Sequence, residues 1–203
     1  MVTGQLASTF RCISYDQRGW GESDSPSDGY GLAEMAADAE ELIRALDLKS
    51  YVLVGHSMGG KVAQLLASRR PAGLQGLVLV APASPFPQNI PELAREAQLH
   101  AYDNRETVLQ AIDFLTHQPL NDTLQNQVVE DSLRGSAPAK LAWPAFGAYE
   151  DISGEVSKIA VPTLILAGDH DRQAPLEQQN LEVLARIPGA TLRIVEHSGQ
   201  GQP

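Results

Sequence analysis

The chain has 203 residues, enough for one domain with an insertion but short for two. A formal net charge of -10 argues against nucleic acid or an anionic membrane surface as a partner, and acidity on this scale mainly serves solubility. The single cysteine, Cys12, excludes an internal disulfide and suits a reducing compartment, so the cytoplasm is the expected location; no apolar stretch approaches the ~18 residues a membrane span needs.

In chain order, Met1–Ala7 reads as the end of a helix leading into a strand, Phe10-Arg11-Cys12-Ile13-Ser14-Tyr15, with Cys12 as a small core residue. The following Asp16-Gln17-Arg18-Gly19-Trp20-Gly21 forms a tight polar loop in which Asp16 and Arg18 are structural. A helix is expected over Glu34–Leu46 and a strand over Tyr51–Val54. Another strand covers Leu77–Val80, after which the strand signal is lost from about 84 to 157. Within that stretch, helices are expected at Glu92–Tyr102, at Asn104–Leu115 behind an Asp103/Glu106 capping box, and at Thr123–Leu133 behind Asp122/Gln125. The apolar run Pro162–Ala167 suits a strand buried on both faces, and a helix over Pro175–Arg186 and a strand over Thr191–Val195 complete the alternation.

The segment Gly55-His56-Ser57-Met58-Gly59-Gly60 joins a strand to a helix by a sharp turn with a serine at its apex. Glycines at 55 and 59 let strand and helix approach closely, and the turn lifts the Ser57 hydroxyl clear of the backbone. The N-terminus of the next helix aims unpaired N–H groups and a positive dipole end at that hydroxyl, which favours an oxyanion; the Met58 N–H is the first donor. No Cys/His spacing suits a metal and no Gly-rich phosphate loop is present, so neither metal nor nucleotide cofactor is implied.

The elbow, the loop of the form Asp-x-Arg-Gly-x-Gly-x-Ser at residues 16–23, and the turn Gly168-Asp169-His170-Asp171 with Pro175 together resemble the α/β-hydrolase superfamily, in its serine-nucleophile, lidded esterase and lipase-like branch. The resemblance implies an α/β fold with a mostly parallel sheet flanked by helices, a helical lid at 84–157, and core segments at 1–83 and 158–203. It implies Ser57 as nucleophile and Asp171, in preference to Asp169, as the acid that orients an imidazolium, with His170 a solvated loop residue. Where the family carries its histidine this chain has Gln200, which cannot take a proton from Ser57; His197, three residues earlier, is the candidate base that remains. Phe86, Trp143, Phe146 and Tyr149 are candidate pocket-lining residues, with ordinary packing as the alternative.

The same resemblance places the family's first strands, its His-Gly oxyanion loop and its last helix outside this sequence. It predicts either that strands 10–15 and 51–54 close up directly or that backbone groups stay unpaired between them. The implied activity is cleavage of a carboxylic ester, lactone or related acyl bond through an acyl-enzyme, on a small-molecule substrate and without cofactor or metal. A cofactor-free peroxidase or acyltransferase is a variant of that chemistry. A ligand-binding relative without turnover, and a truncated fragment, are readings from other classes.

Overall fold

The computed structural model describes residues 2–201. Four strands, β1 (Tyr51–His56), β2 (Leu74–Val80), β3 (Thr163–Gly168) and β4 (Thr191–Val195), form one parallel sheet in the order β1-β2-β3-β4. Parallel neighbours need long crossovers. Helix α3 (Met58–Ser68) supplies the first, and four helices supply the second: α4 (Glu92–Leu99), α5 (Arg105–Leu115), α6 (Asp122–Leu133) and α7 (Ala137–Ala145). The third crossover begins as a short helix at Leu176–Gln178 and then changes to a π turn at Gln179–Val183 and a 3-10 turn at Leu184–Arg186, so the helix expected over 175–186 is not regular.

The core lies on one face of this sheet. Leu77, Leu79 and Ile165 point into it and meet Val62, Ala63, Leu66 and Ala67 of α3, Met35, Ala36 and Ala39 of α2 (Leu32–Ala45), and Val183 and Ile187 of the third crossover. Leu66 and Leu79 are fully buried, and each such side chain contributes about 1.5–3 kcal/mol through burial. On the opposite face Val52 and Val54 are 52% and 61% exposed, although parallel sheets are ordinarily covered on both sides.

The run Phe10–Tyr15 is not a strand. It pairs with nothing in the sheet, and Phe10, Ile13, Tyr15 and Cys12 are exposed, which corrects the expected core position of Cys12. An apolar run becomes a strand only when a neighbour takes up its hydrogen bonds, and β1 is left as the edge. The first helix, α1, covers Val2–Leu6, and Met1 lies outside the described residues.

The capping box of α5 also differs from expectation by one residue. Asn104 accepts from the backbone N–H groups of Glu106 and Thr107, and the Thr107 hydroxyl is the reciprocal partner. Helix α6 is capped by Asn121, whose side chain accepts from the Leu124 N–H. In both cases the asparagine outside the helix, and not the aspartate beside it, is the capping residue.

Candidate active site

Ser57 stands between β1 and α3 at φ 51° and ψ -120°, a backbone conformation that costs an L-residue on the order of 1–3 kcal/mol. Its surroundings determine that geometry. The Ser57 N–H donates to the Val80 carbonyl, while its own carbonyl accepts from the N–H groups of Gly60 and Ala83 at 2.9 Å. A Cβ on Gly55 would stand 2.7 Å from that of Ala63, and one on Gly60 would stand 2.7 Å from that of Pro82, so only glycine lets α3 sit this close to β1 and β2. The Ser57 side chain does not cap the helix. Met58 is the first residue of α3, where the N–H has no intrahelical partner and is available to an anion. The Gln17 amide nitrogen reaches within 4.0 Å of the Cβ position of Gly59, beside the elbow, a placement that residue spacing did not suggest.

The loop preceding the elbow is built for structure. Arg18 forms a bidentate pair with Asp38 at 2.6 Å per bond and donates to the Gly29 carbonyl, while Asp16 accepts from the Glu22 N–H.

Asp171 lies in the loop after β3 and is 6% exposed. Its Oδ1 accepts from the N–H groups of Gln173 and Ala174, both at 2.8 Å, and its Oδ2 has no partner. Burial raises the Asp171 pKa, opposed by those two backbone bonds and by the proximity of His56. Gln200 is likewise buried at the same rim of the sheet: its Nε2 donates to the Ala81 carbonyl at 3.0 Å, its Oε1 is unpartnered, and its carbonyl accepts from His56 Nε2. Two buried oxygens without donors, Asp171 Oδ2 and Gln200 Oε1, therefore belong to the rim on which Ser57 sits.

His197 is placed elsewhere. It is exposed, adopts φ 56°, and faces Asp169 and His170. With Glu196 and Ser198 it lines a groove of about 340 Å³ whose other wall is Gln118–Asn121 and Leu124. Neither this groove nor a second, of about 210 Å³ around Trp20 and Arg134, has Ser57 or Asp171 on its wall. Asp169 accepts at Oδ1 from the Ser198 N–H; although burial works the other way, backbone donation from His197 and Ser198 and the flanking imidazoles hold its carboxyl below the usual range.

Lys61 links two of the aromatic candidates, and Trp143 packs against the main core as ordinary packing requires. The Trp143 ring has the Lys61 ammonium 5.9 Å from its centroid, Phe86 is covered by the Arg186 guanidinium at 5.1 Å, and Phe146 is 44% exposed. Lys61, one turn into α3, is fully buried and donates to the Phe86 carbonyl. Burial lowers its pKa to about 8 in spite of Glu150, Asp151 and Glu182 nearby.

Comparison with known proteins places this arrangement in context. The family defined by the alpha/beta hydrolase fold matches residues 4–200. A non-heme chloroperoxidase of Burkholderia pyrrocinia is 30% identical, over 91% of this chain and 73% of its own length. The YisY protein of Bacillus subtilis, an AB hydrolase superfamily protein, is 31% identical over 83% of this chain and 66% of its own. Among solved structures, an esterase from Exiguobacterium antarcticum superposes with a TM-score of 0.84 at 27% identity, covering 92% of this chain and 73% of that one.

Proposed function

The chain belongs to the alpha/beta hydrolase family, and from that premise we propose that it cleaves a carboxylic ester or related acyl bond of a small molecule through an acyl-enzyme on Ser57. The observation that carries this reading is the strained, packing-determined elbow, which presents a serine hydroxyl at a helix N-terminus. In the proposed reaction Ser57 Oγ bonds to the carbonyl carbon as its proton passes to a base. The carbonyl oxygen becomes an oxyanion facing the Met58 N–H, and collapse expels the alcohol, which takes up the proton. Water then attacks the acyl-serine by the same route and releases the acid. Peroxide in place of water gives the peroxidase variant, in keeping with the chloroperoxidase among the relatives.

Asp171 is assigned as the acid, its free Oδ2 being the acceptor for an imidazole N–H. His197 is assigned as the base. It serves only after the 196–201 loop leaves its contacts with Asp169, because no imidazole bonds to Asp171 Oδ2 in the conformation described. Residues 84–157, with helices α4–α7, are assigned as the lid, Phe86, Trp143 and Phe146 as candidate pocket-lining residues, and the cytoplasm as the setting. No helix among the described residues is long and apolar enough to cross a membrane.

A second reading, an acyl-binding relative without turnover, is favoured by one observation: Gln200 is buried and tied to Ala81. A fluorophosphonate serine probe, read by intact mass beside a Ser57→Ala control and a thermal melt, separates the two. Labelling of the chain that the control loses is the expected result. A cooperative melt without labelling overturns the hydrolase reading in favour of the second.

A further inference from the structure

Three of the chain's five histidines gather where β3 and β4 end. Sequence spacing conceals this, because residues 169–170 and 197 lie far apart along the chain. Parallel pairing joins them: Gly168 stands opposite Val195 in the sheet, so the residues that follow each strand emerge side by side. The two loops are then laced together. The Asp169 N–H donates to the Val195 carbonyl at 3.2 Å, the His170 N–H to the Ser198 carbonyl at 2.9 Å, and the Ser198 N–H to Asp169 Oδ1 at 3.1 Å.

We propose that Asp169, His170 and His197 form a binding site for a divalent transition-metal ion of the zinc class. One ligand atom from each residue lies within 4.8 Å of the other two, and His170 Nε2 is 3.9 Å from Asp169 Oδ2. Ligands about 2.0–2.1 Å from a common zinc stand roughly 3.3 Å apart, so rotation of exposed side chains is enough to close the set without moving the backbone. Two imidazoles and one carboxylate select zinc, cobalt or nickel over magnesium or calcium, which take oxygen ligands. Three protein ligands leave the remaining coordination positions to water, and the groove of about 340 Å³ on which His197 sits gives the ion a path from solvent.

Asp169 and His170 are already oriented, and His197 is braced at its backbone. Asp169 Oδ1 is held by backbone N–H, which leaves Oδ2 toward the histidines. The His170 ring lies flat on His117, with centroids 3.8 Å apart and planes within 2°. His197 occupies the left-handed region at φ 56°, a conformation a non-glycine residue keeps only where its surroundings hold it. An ion here clips the loop after β3 to the loop after β4. It thereby keeps His197 beside Asp169, a structural consequence that does not depend on the hydrolase reading.

The test uses the full-length chain, free of any polyhistidine tag and stripped with chelator, titrated with zinc by calorimetry and with cobalt by visible absorption. The expected result is one ion per chain, a d–d band of a nitrogen-and-oxygen site, and a rise in melting temperature with zinc. His170→Ala, Asp169→Asn and His197→Asn should each weaken binding by about tenfold or more; asparagine tolerates the left-handed backbone at 197. His100→Ala, which alters another exposed histidine set between Glu96 and Asp103, should leave it unchanged. Absence of binding, several weak ions per chain, or equal losses from His100→Ala and His170→Ala would overturn the proposal. If a variant melts early, His170→Gln provides a milder replacement with the same readouts.

Discussion

The turn after β1 and the turn after β4 begin from the same geometry and end in different states. Each follows a strand of one parallel sheet at the same rim, and each places a non-glycine residue at positive φ, 51° for Ser57 and 56° for His197. Behind Ser57 comes α3, whose Leu66 and Ala67 are buried in the core and whose first turn leaves no room for a Cβ at Gly55 or Gly60. Behind His197, itself exposed, comes an irregular loop whose Ser198, Gly199 and Gln200 are buried, and a Cβ on Gly199 would stand 2.8 Å from the Leu115 carbonyl oxygen. The strained backbone at 57 is held by packing and hydrogen bonds on both sides, whereas at 197 the strained residue is exposed and the packing begins one residue later, at Ser198–Gln200. Ser57 is thus held from both sides and His197 from one.

The sharpest way to break this contrast is to put an imidazole on the buried side of the turn after β4. Gln200 already lies in the core of the rim, with a donor on Ala81 and an oxygen that nothing satisfies. Gln200→His is expected to raise turnover of an activated ester by about two to four orders of magnitude, roughly 3–5 kcal/mol of barrier. Adding Asp171→Asn should remove most of that gain while keeping the two backbone bonds to Oδ1. A folded Gln200→His chain with unchanged turnover would refute the assignment of Asp171 as the acid.

How far sequence alone leads is also set by this contrast. The four paired strands were readable because apolar runs are self-announcing in a sheet with a buried face, and the elbow was readable because its constraint is local, although the glycine that packing requires after the serine is Gly60 and not Gly59, where a Cβ would meet nothing nearer than 4.0 Å. The run 10–15 carried the same apolar signal and failed, since strand formation depends on a partner the run itself does not specify. Asn104 in place of Asp103 differs from expectation by a single residue of register, and the π turn within 176–186 interrupts a helix that the sequence pattern predicts as continuous; periodicity resolves neither. The gathering of Asp169, His170 and His197 was illegible because it depends on the pairing of Gly168 with Val195, a relation between distant segments. Gln200 could be flagged as a substitution for histidine, but not its burial against Ala81.

The fixed turn can be sharpened from behind. Lys61 lies one helical turn after Ser57, buried, with a carbonyl as its hydrogen-bond acceptor and a pKa lowered by burial to about 8. Against an ordinary value of 10.5, the folded chain binds fewer protons than the unfolded chain between those limits. Stability therefore rises as pH increases from about 8 toward 10.5, by on the order of 3 kcal/mol, and the full cost of the buried charge is present below pH 8. Denaturation of wild type and Lys61→Met across that range should show the rise in the first and its loss in the second. Parallel curves would mean that the ammonium is solvated and that α3 is less tightly buttressed than its packing indicates.

The smallest expected effect addresses the strain itself. Glycine adopts positive φ without the steric cost that a Cβ imposes, yet it also loses more conformational freedom on folding. At 57, where core packing fixes the backbone, Ser57→Gly should release strain with the fold unchanged and stabilise the chain by about 1–2 kcal/mol. At 197 the strained residue is exposed and braced on one side only, so His197→Gly should gain less than about 0.5 kcal/mol or lose stability outright. Ser57→Ala, which keeps the Cβ, is the control and should change stability little. Urea denaturation of the three variants reads the difference directly. Equal gains at 57 and 197 would show that both turns are held with the same rigidity, the buried residues 198–200 bracing His197 as firmly as α3 braces Ser57.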